Sequence, residues 1–192
     1  MRGKNEDHQT RFFVCFALAI GSALTVALAG NMLTLFIAYE VLSLSTYPLV
    51  AHHQNAEARK GGRIYLGYLL TTSIGLLLFG MVWTWQLTGT LEFKPGGILE
   101  GHIGQAGAAL LLILYMFGIG KAALMPFHRW LPAAMVAPTP VSALLHAVAV
   151  VKAGVFAVLK VIVYIFGVDF LGATGDASWL GYVAAGTLLL AS

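Results

Sequence analysis

The chain has 192 residues, 59% of them apolar and only 10% charged, with a mean hydropathy of +0.84. An ordinary globular domain is about 25% charged, so this composition excludes a water-soluble globule, a disordered tail and a coiled coil. The lone cysteine, Cys15, excludes an internal disulfide and reads as a buried inert thiol within an apolar run. The formal charge of +3 and pI near 9.1 do not point to nucleic acid, because polytopic membrane proteins collect Lys and Arg in their cytoplasmic loops.

A bilayer core about 30 Å thick takes roughly 20 apolar residues per helix. The expected fold is therefore all-α, a polytopic membrane bundle with about five transmembrane helices. In chain order these are Phe12 to Ala29, Asn31 to Val50, Tyr65 to Leu87, Ala106 to Pro126 and Val141 to Phe166. Gly30 and Asn31 supply a tight turn between the first two. A last apolar run, Trp179 to Ser192, has 14 residues, too few to cross upright, and reads as a sixth helix cut short. The organisation is thus a tail over 1–11, a five-helix unit over 12–166, and an extracytoplasmic loop with the truncated helix over 167–192. A cleavable secretory signal ending at Ala27-Leu28-Ala29 is disfavoured by Glu6 and Asp7. Cleavage would also leave a chain starting on another apolar span.

Orientation follows from Lys and Arg. Arg2, Lys4, Arg11, Arg59, Lys60, Arg63 and Arg129 fall on one side, and Lys94 and Lys160, the latter near a helix end, on the other. Seven against two puts the N-terminus in the cytoplasm of a multi-pass protein of the cell (inner) membrane. His52 and His53 fall in a cytoplasmic loop and read as solvated. No HExxH, CxxC or GxSxG is present, and the glycines between Gly96 and Gly107 lack the GK[ST] ending of a phosphate cradle. No metal site, cofactor or catalytic centre is expected.

Three charges sit where none should. Glu40 is the tenth residue of the second expected span, Lys152 the twelfth of the fifth, and Lys121 lies five residues before Pro126 in the fourth. Each costs about 2.5–3.5 kcal/mol at a helix centre on insertion scales. Glu40 could pair with Lys121 or Lys152 as structural glue, but buried pairs stabilise poorly. Two lysines against one carboxylate also leave an amine over. An unpaired buried lysine is most cheaply hosted by losing its proton, which makes it a proton carrier. His146 lies six residues before Lys152 on the same helix, about 9 Å along the axis and 120° around it, where one cavity could serve both. Pro126 should break the fourth helix, and breaks at membrane depth line cavities or ion sites. His128 and Arg129, beside Trp130, read as interfacial anchors.

At these residues a resemblance appears. Gly118 to Phe156, GIGKAALMPFHRWLPAAMVAPTPVSALLHAVAVVKAGVF, resembles the signature of the antiporter-like subunits shared by respiratory complex I, Mrp-type cation/proton antiporters and membrane-bound hydrogenases. The upstream FIAYEVLSLSTYPLV resembles that family's glutamate-bearing fifth helix. The resemblance implies about fourteen helices with two inverted five-helix repeats, of which this chain would hold the first. It also implies that the key glutamate is Glu40, the broken-helix lysine Lys121, and the relay positions His146 and Lys152. The second repeat is missing from the pattern. The expected function is proton translocation in a multisubunit cation/proton antiporter, with other membrane subunits and the lipid bilayer as partners, and protons, with Na⁺ as a candidate, as cargo. Two other readings stay open. One is a proton-pumping subunit of an NADH:quinone oxidoreductase or membrane-bound hydrogenase, which would carry an enzyme name without chemistry of its own. The other is a structural membrane module without transport.

Overall fold

A computed structural model describes residues 8–174 and 177–191. Of the expected tail, Arg2, Lys4, Glu6 and Asp7 lie outside the described residues, as does Ser192 at the end of the last apolar run. The described residues form an all-α, multi-pass bundle, with a single isolated bridge pairing Asn31 and Glu92.

Helix α1 spans Gln9–Leu28 and α2 spans Met32–Val50. They pack as an antiparallel pair, turned by Gly30 and Asn31. The Asn31 side chain accepts from Thr34 N at 2.7 Å and so caps α2. Helix α3, Ala56–Thr88, begins well before the expected Tyr65. Asn55 caps it by accepting from Ala58 N at 2.7 Å, and Glu57 favours its positive N-terminal end. Capping, not apolarity, sets this start, so Arg59, Lys60 and Arg63 are exposed residues of the helix itself. A π-turn at Ser73–Leu77 interrupts it, where Thr72 and Ser73 donate to the backbone a turn earlier, to Tyr68 O and Leu69 O.

The connection after α3 folds back over the α1–α2 turn. Met32 N donates to Leu91 O at 2.9 Å and Phe93 N to Gly30 O at 3.2 Å. Farther along the same connection, Ile98 N donates to Ile165 O. Helix α4 is Gln105–Gly118 and α5 is Thr139–Phe166, with π-turns at Leu144–Val148 and Val161–Phe166. Short helical turns over 127–136 join them and pack on the start of α3. Helix α6, Val168–Thr174, and α7, Ser178–Ala191, end the chain.

Among the described residues, α1, α2, α3 and α5 are long and apolar enough to cross a membrane, and α4 and α7 are shorter apolar helices. The expected fourth span is therefore corrected. Helix α4 stops at Gly118 and does not run on to Pro126. Ile119 leaves helical geometry at φ −81°, ψ 64°, flanked by two glycines that contribute little to holding a helix. The interior includes Tyr39, Leu42, Tyr65, Tyr115 and Trp130, all fully buried. Its tyrosine hydroxyls are paired, Tyr65 with Thr46 at 2.6 Å and Tyr115 with Thr84 at 2.8 Å.

Candidate functional site

The site is built where α4 fails. After Ile119 a single 3₁₀ turn, Gly120–Ala122, carries Lys121, and Ala123 follows in the left-handed region at φ +55°. A non-glycine residue held there costs about 1–3 kcal/mol, so its surroundings must impose it. Two close approaches do so. A Cβ on Gly154 of α5 would come within 2.5 Å of Ala122 N and Lys121 C. Gly120 lies against Thr72 of α3, leaving no room for a side chain. Glycine at both positions lets the broken turn seat directly on α5 and α3.

The break frees backbone groups, and side chains from elsewhere satisfy them. Lys121 N donates to the Tyr39 hydroxyl at 3.0 Å. Gly120 O accepts from Trp130 Nε1 at 2.9 Å. Trp130 also meets Tyr65 edge-on with ring centroids 5.6 Å apart. The expected interfacial belt around it is thus corrected: Trp130 is 0% exposed and serves the helix break, while His128 beside it is half-buried and Arg129 exposed.

Lys121 itself is 0% exposed. Its ammonium nitrogen donates to Tyr39 O at 2.8 Å and Ser43 Oγ at 2.6 Å, and lies 3.1 Å from the centroid of the Tyr39 ring. Tyr39 thus grips the lysine at its backbone through the hydroxyl and at its amine through carbonyl and ring. Glu40, the next residue of α2, is half-buried, and its Oε1 is buried with no hydrogen-bond partner. Its charge acts on Lys121 through space, but the direct bonds of the amine go to Tyr39 and Ser43. The structure therefore brings Glu40 and Lys121 into one neighbourhood without bonding them.

The other expected members stand apart. His146 is half-buried on the π-turn of α5, with Nε2 buried and unpartnered. Lys152 is exposed and lines a cavity of about 280 Å³ between α1 and α5, walled by Ile20, Ala23, Leu24 and Phe156. No bond joins it to Lys121, whose amine faces α2. Pro126 lies beyond the break, before the turn Phe127–Arg129.

Sequence reasoning missed Tyr39, Ser43 and Trp130. The first two had a signal: at i and i+4 on α2 they share a helix face. Lys160 also needs correcting. It is not a loop-side charge but a residue of α5, 8% exposed, whose amine donates to Ala29 O at the end of α1. His52, expected in solvent, is 6% exposed, its ring 5.3 Å from that of Phe12 and its carbonyl accepting from Arg11. Cys15 is half-buried.

Residues 29–192 match the family described as NADH:quinone oxidoreductase/Mrp antiporter, transmembrane. The chain belongs to this family. Among curated relatives, it is 39% identical over 161 residues to a K(+)/H(+) antiporter protein of Rhizobium meliloti, covering 81% of this chain and 16% of that protein. It is 35% identical over 161 residues to the "Putative antiporter subunit mnhA2" of Staphylococcus haemolyticus, 81% of this chain and 20% of the relative. Over 178 residues it is 34% identical to the protein of that name in Staphylococcus aureus strain JH9, 87% and 22% respectively. The chain thus spans between 16% and 22% of the length of these antiporter-family relatives.

Proposed function

We propose that this chain is the first proton-translocating repeat of a multisubunit cation/proton antiporter, with Lys121 as its central proton-binding amine. The observation that carries this is an amine with no exposure, set in a broken helix, beside a carboxylate whose buried oxygen is unpartnered. A purely structural pair would have used that carboxylate. In the proposed sequence, one N–H bond of the Lys121 ammonium breaks and the proton passes to Nε2 of His146, which becomes imidazolium. It then moves to the Lys152 amine, on the outer face of α5. Glu40 acts through its charge: while ionised it favours the ammonium, and when neutralised or withdrawn it lets the proton go. Both Ile119 and Ala123 depart from helical backbone at this step, as in the interrupted helices of transporters.

The five-helix reading follows if α4 and the turns after it together count as one broken span. The excess of Lys and Arg supports a cytoplasmic N-terminus. The names of the relatives favour K⁺ or another cation as the exchanged ion and further membrane subunits as partners. The family description also includes NADH:quinone oxidoreductase, so a pumping role in such a complex is the second reading. The test is Lys121→Ala in the complete assembly, reconstituted in vesicles. Cation-linked proton movement should fall by about two orders of magnitude or more, at unchanged assembly. Wild-type rates would end the proposal.

A further inference from the structure

We propose that Ser43, together with the Tyr39 carbonyl, forms a second and uncharged seat for the Lys121 amine, between which and Glu40 the side chain alternates. Ser43 is then a positioning residue for the proton step. This rests on the reading of Lys121 as the proton carrier.

The geometry is that of a socket for a cation. The Ser43 hydroxyl lies 3.2 Å from Tyr39 O, to which it donates, so its lone pairs are left facing Lys121 Nζ at 2.6 Å. Tyr39 O accepts from the same nitrogen at 2.8 Å, and the face of the Tyr39 ring lies 3.1 Å away. Two oxygen acceptors and one π face match the three N–H donors of an ammonium. A neutral amine, with two donors and a lone pair, would turn that lone pair on an acceptor. Both oxygens and the ring come from a single turn of α2, and Ser43 and Tyr39 are fully buried. The seat is therefore rigid and dry, where a hydrogen bond to a charged group counts most.

Glu40 supplies the competitor. It follows Tyr39 directly on α2, and its buried Oε1 has no partner. An unsatisfied buried carboxylate oxygen is costly, and the group able to relieve it is the amine now held by Ser43. Lys121 is carried by a single 3₁₀ turn rather than a helix, so a change of side-chain rotamer suffices to exchange one seat for the other. An amine held only by Glu40 would be locked in an ion pair. One held only by Ser43 would have no charge to release it. The two seats together give a carrier two positions of different electrostatic character.

The experiment uses the complete assembly in vesicles and reads cation-linked proton movement at equal assembly. Ser43→Ala should lower the rate about tenfold, the equivalent of one charge-assisted hydrogen bond, and Ser43→Thr, which keeps the hydroxyl, should restore it. Ser43→Cys preserves volume with a poor acceptor and should also lose rate, so a packing defect in the alanine variant does not blur the result. The decisive reading is the double variant with Glu40→Gln. Because one amine needs both seats, the combined loss should equal the larger single loss rather than the product of the two. Wild-type rates in Ser43→Ala and Ser43→Cys, or losses that simply multiply, overturn the seat. If Lys121→Ala is itself wild-type, the reading of Lys121 as carrier has failed; if only the Ser43 variants are, the carrier stands and the seat does not.

Discussion

Two buried lysines in this bundle are held in superficially similar ways. Lys160, on α5, donates to Ala29 O and lies 5.0 and 5.2 Å from the rings of Phe93 and Phe156. Lys121, in the break after α4, donates to Tyr39 O and Ser43 Oγ and lies on the Tyr39 ring. The difference is in what else each could reach. Lys160 satisfies a carbonyl left open at the end of α1, beside the point where Phe93 N bonds Gly30 O, and pins the turn there. Lys121 has an unpartnered carboxylate oxygen next to its seat and stands on a turn whose backbone is already off the helix. A buried amine alone is thus compatible with a cap. One with a vacant alternative partner has somewhere to go.

Substitutions can break or sharpen this contrast. The largest effect belongs to Lys121→Ala, described above. Next comes Gly154→Ala, whose added methyl would meet Ala122 N and Lys121 C at 2.5 Å. Overpacking of this kind costs about 1–3 kcal/mol, read as a lower thermal midpoint of the assembly, and the displaced turn should lower transport as well. Trp130→Phe keeps the ring and removes the donor to Gly120 O. Leaving that carbonyl unsatisfied should cost about 1–3 kcal/mol, towards the lower end because the ring still packs, with a milder transport loss. The smallest effect on transport is expected for Lys160→Met. It should lower stability by about 1–2 kcal/mol through the lost cap at Ala29, while vesicle rates stay within experimental scatter of wild type. A Lys160→Met protein as inactive as Lys121→Ala would erase the distinction.

The parts that could be read from the residues were those governed by local rules. Apolar runs of spanning length gave α1, α2 and α5, and Gly30-Asn31 announced the turn that the Asn31 side chain closes. The out-of-place charges drew attention to Glu40 and Lys121, which the fold does bring near one another. What escaped was non-local. The start of α3 hides among Arg59, Lys60 and Arg63 because a capped helix can extend past its apolar stretch. Pro126 was the louder break signal, yet the helix ends at Gly118, where α5, α3 and Tyr39 compensate the freed backbone. The partners of Lys121 lie 78 and 82 residues away in sequence, a separation no periodicity encodes. Trp130 looked like an interface residue because its indole partner, Gly120 O, becomes available only once the helix has broken.

The central claim is that the Lys121 amine exchanges its proton within the membrane. It is tested most directly by ¹⁵N NMR of Lys121 Nζ in the complete assembly, assigned by loss of the signal in Lys121→Ala and followed across the pH range in which vesicles sustain a gradient. The account predicts that ammonium and free amine are both populated in that range and that Glu40→Gln changes their ratio. A signal that remains ammonium at every such pH, indifferent to Glu40, would contradict it.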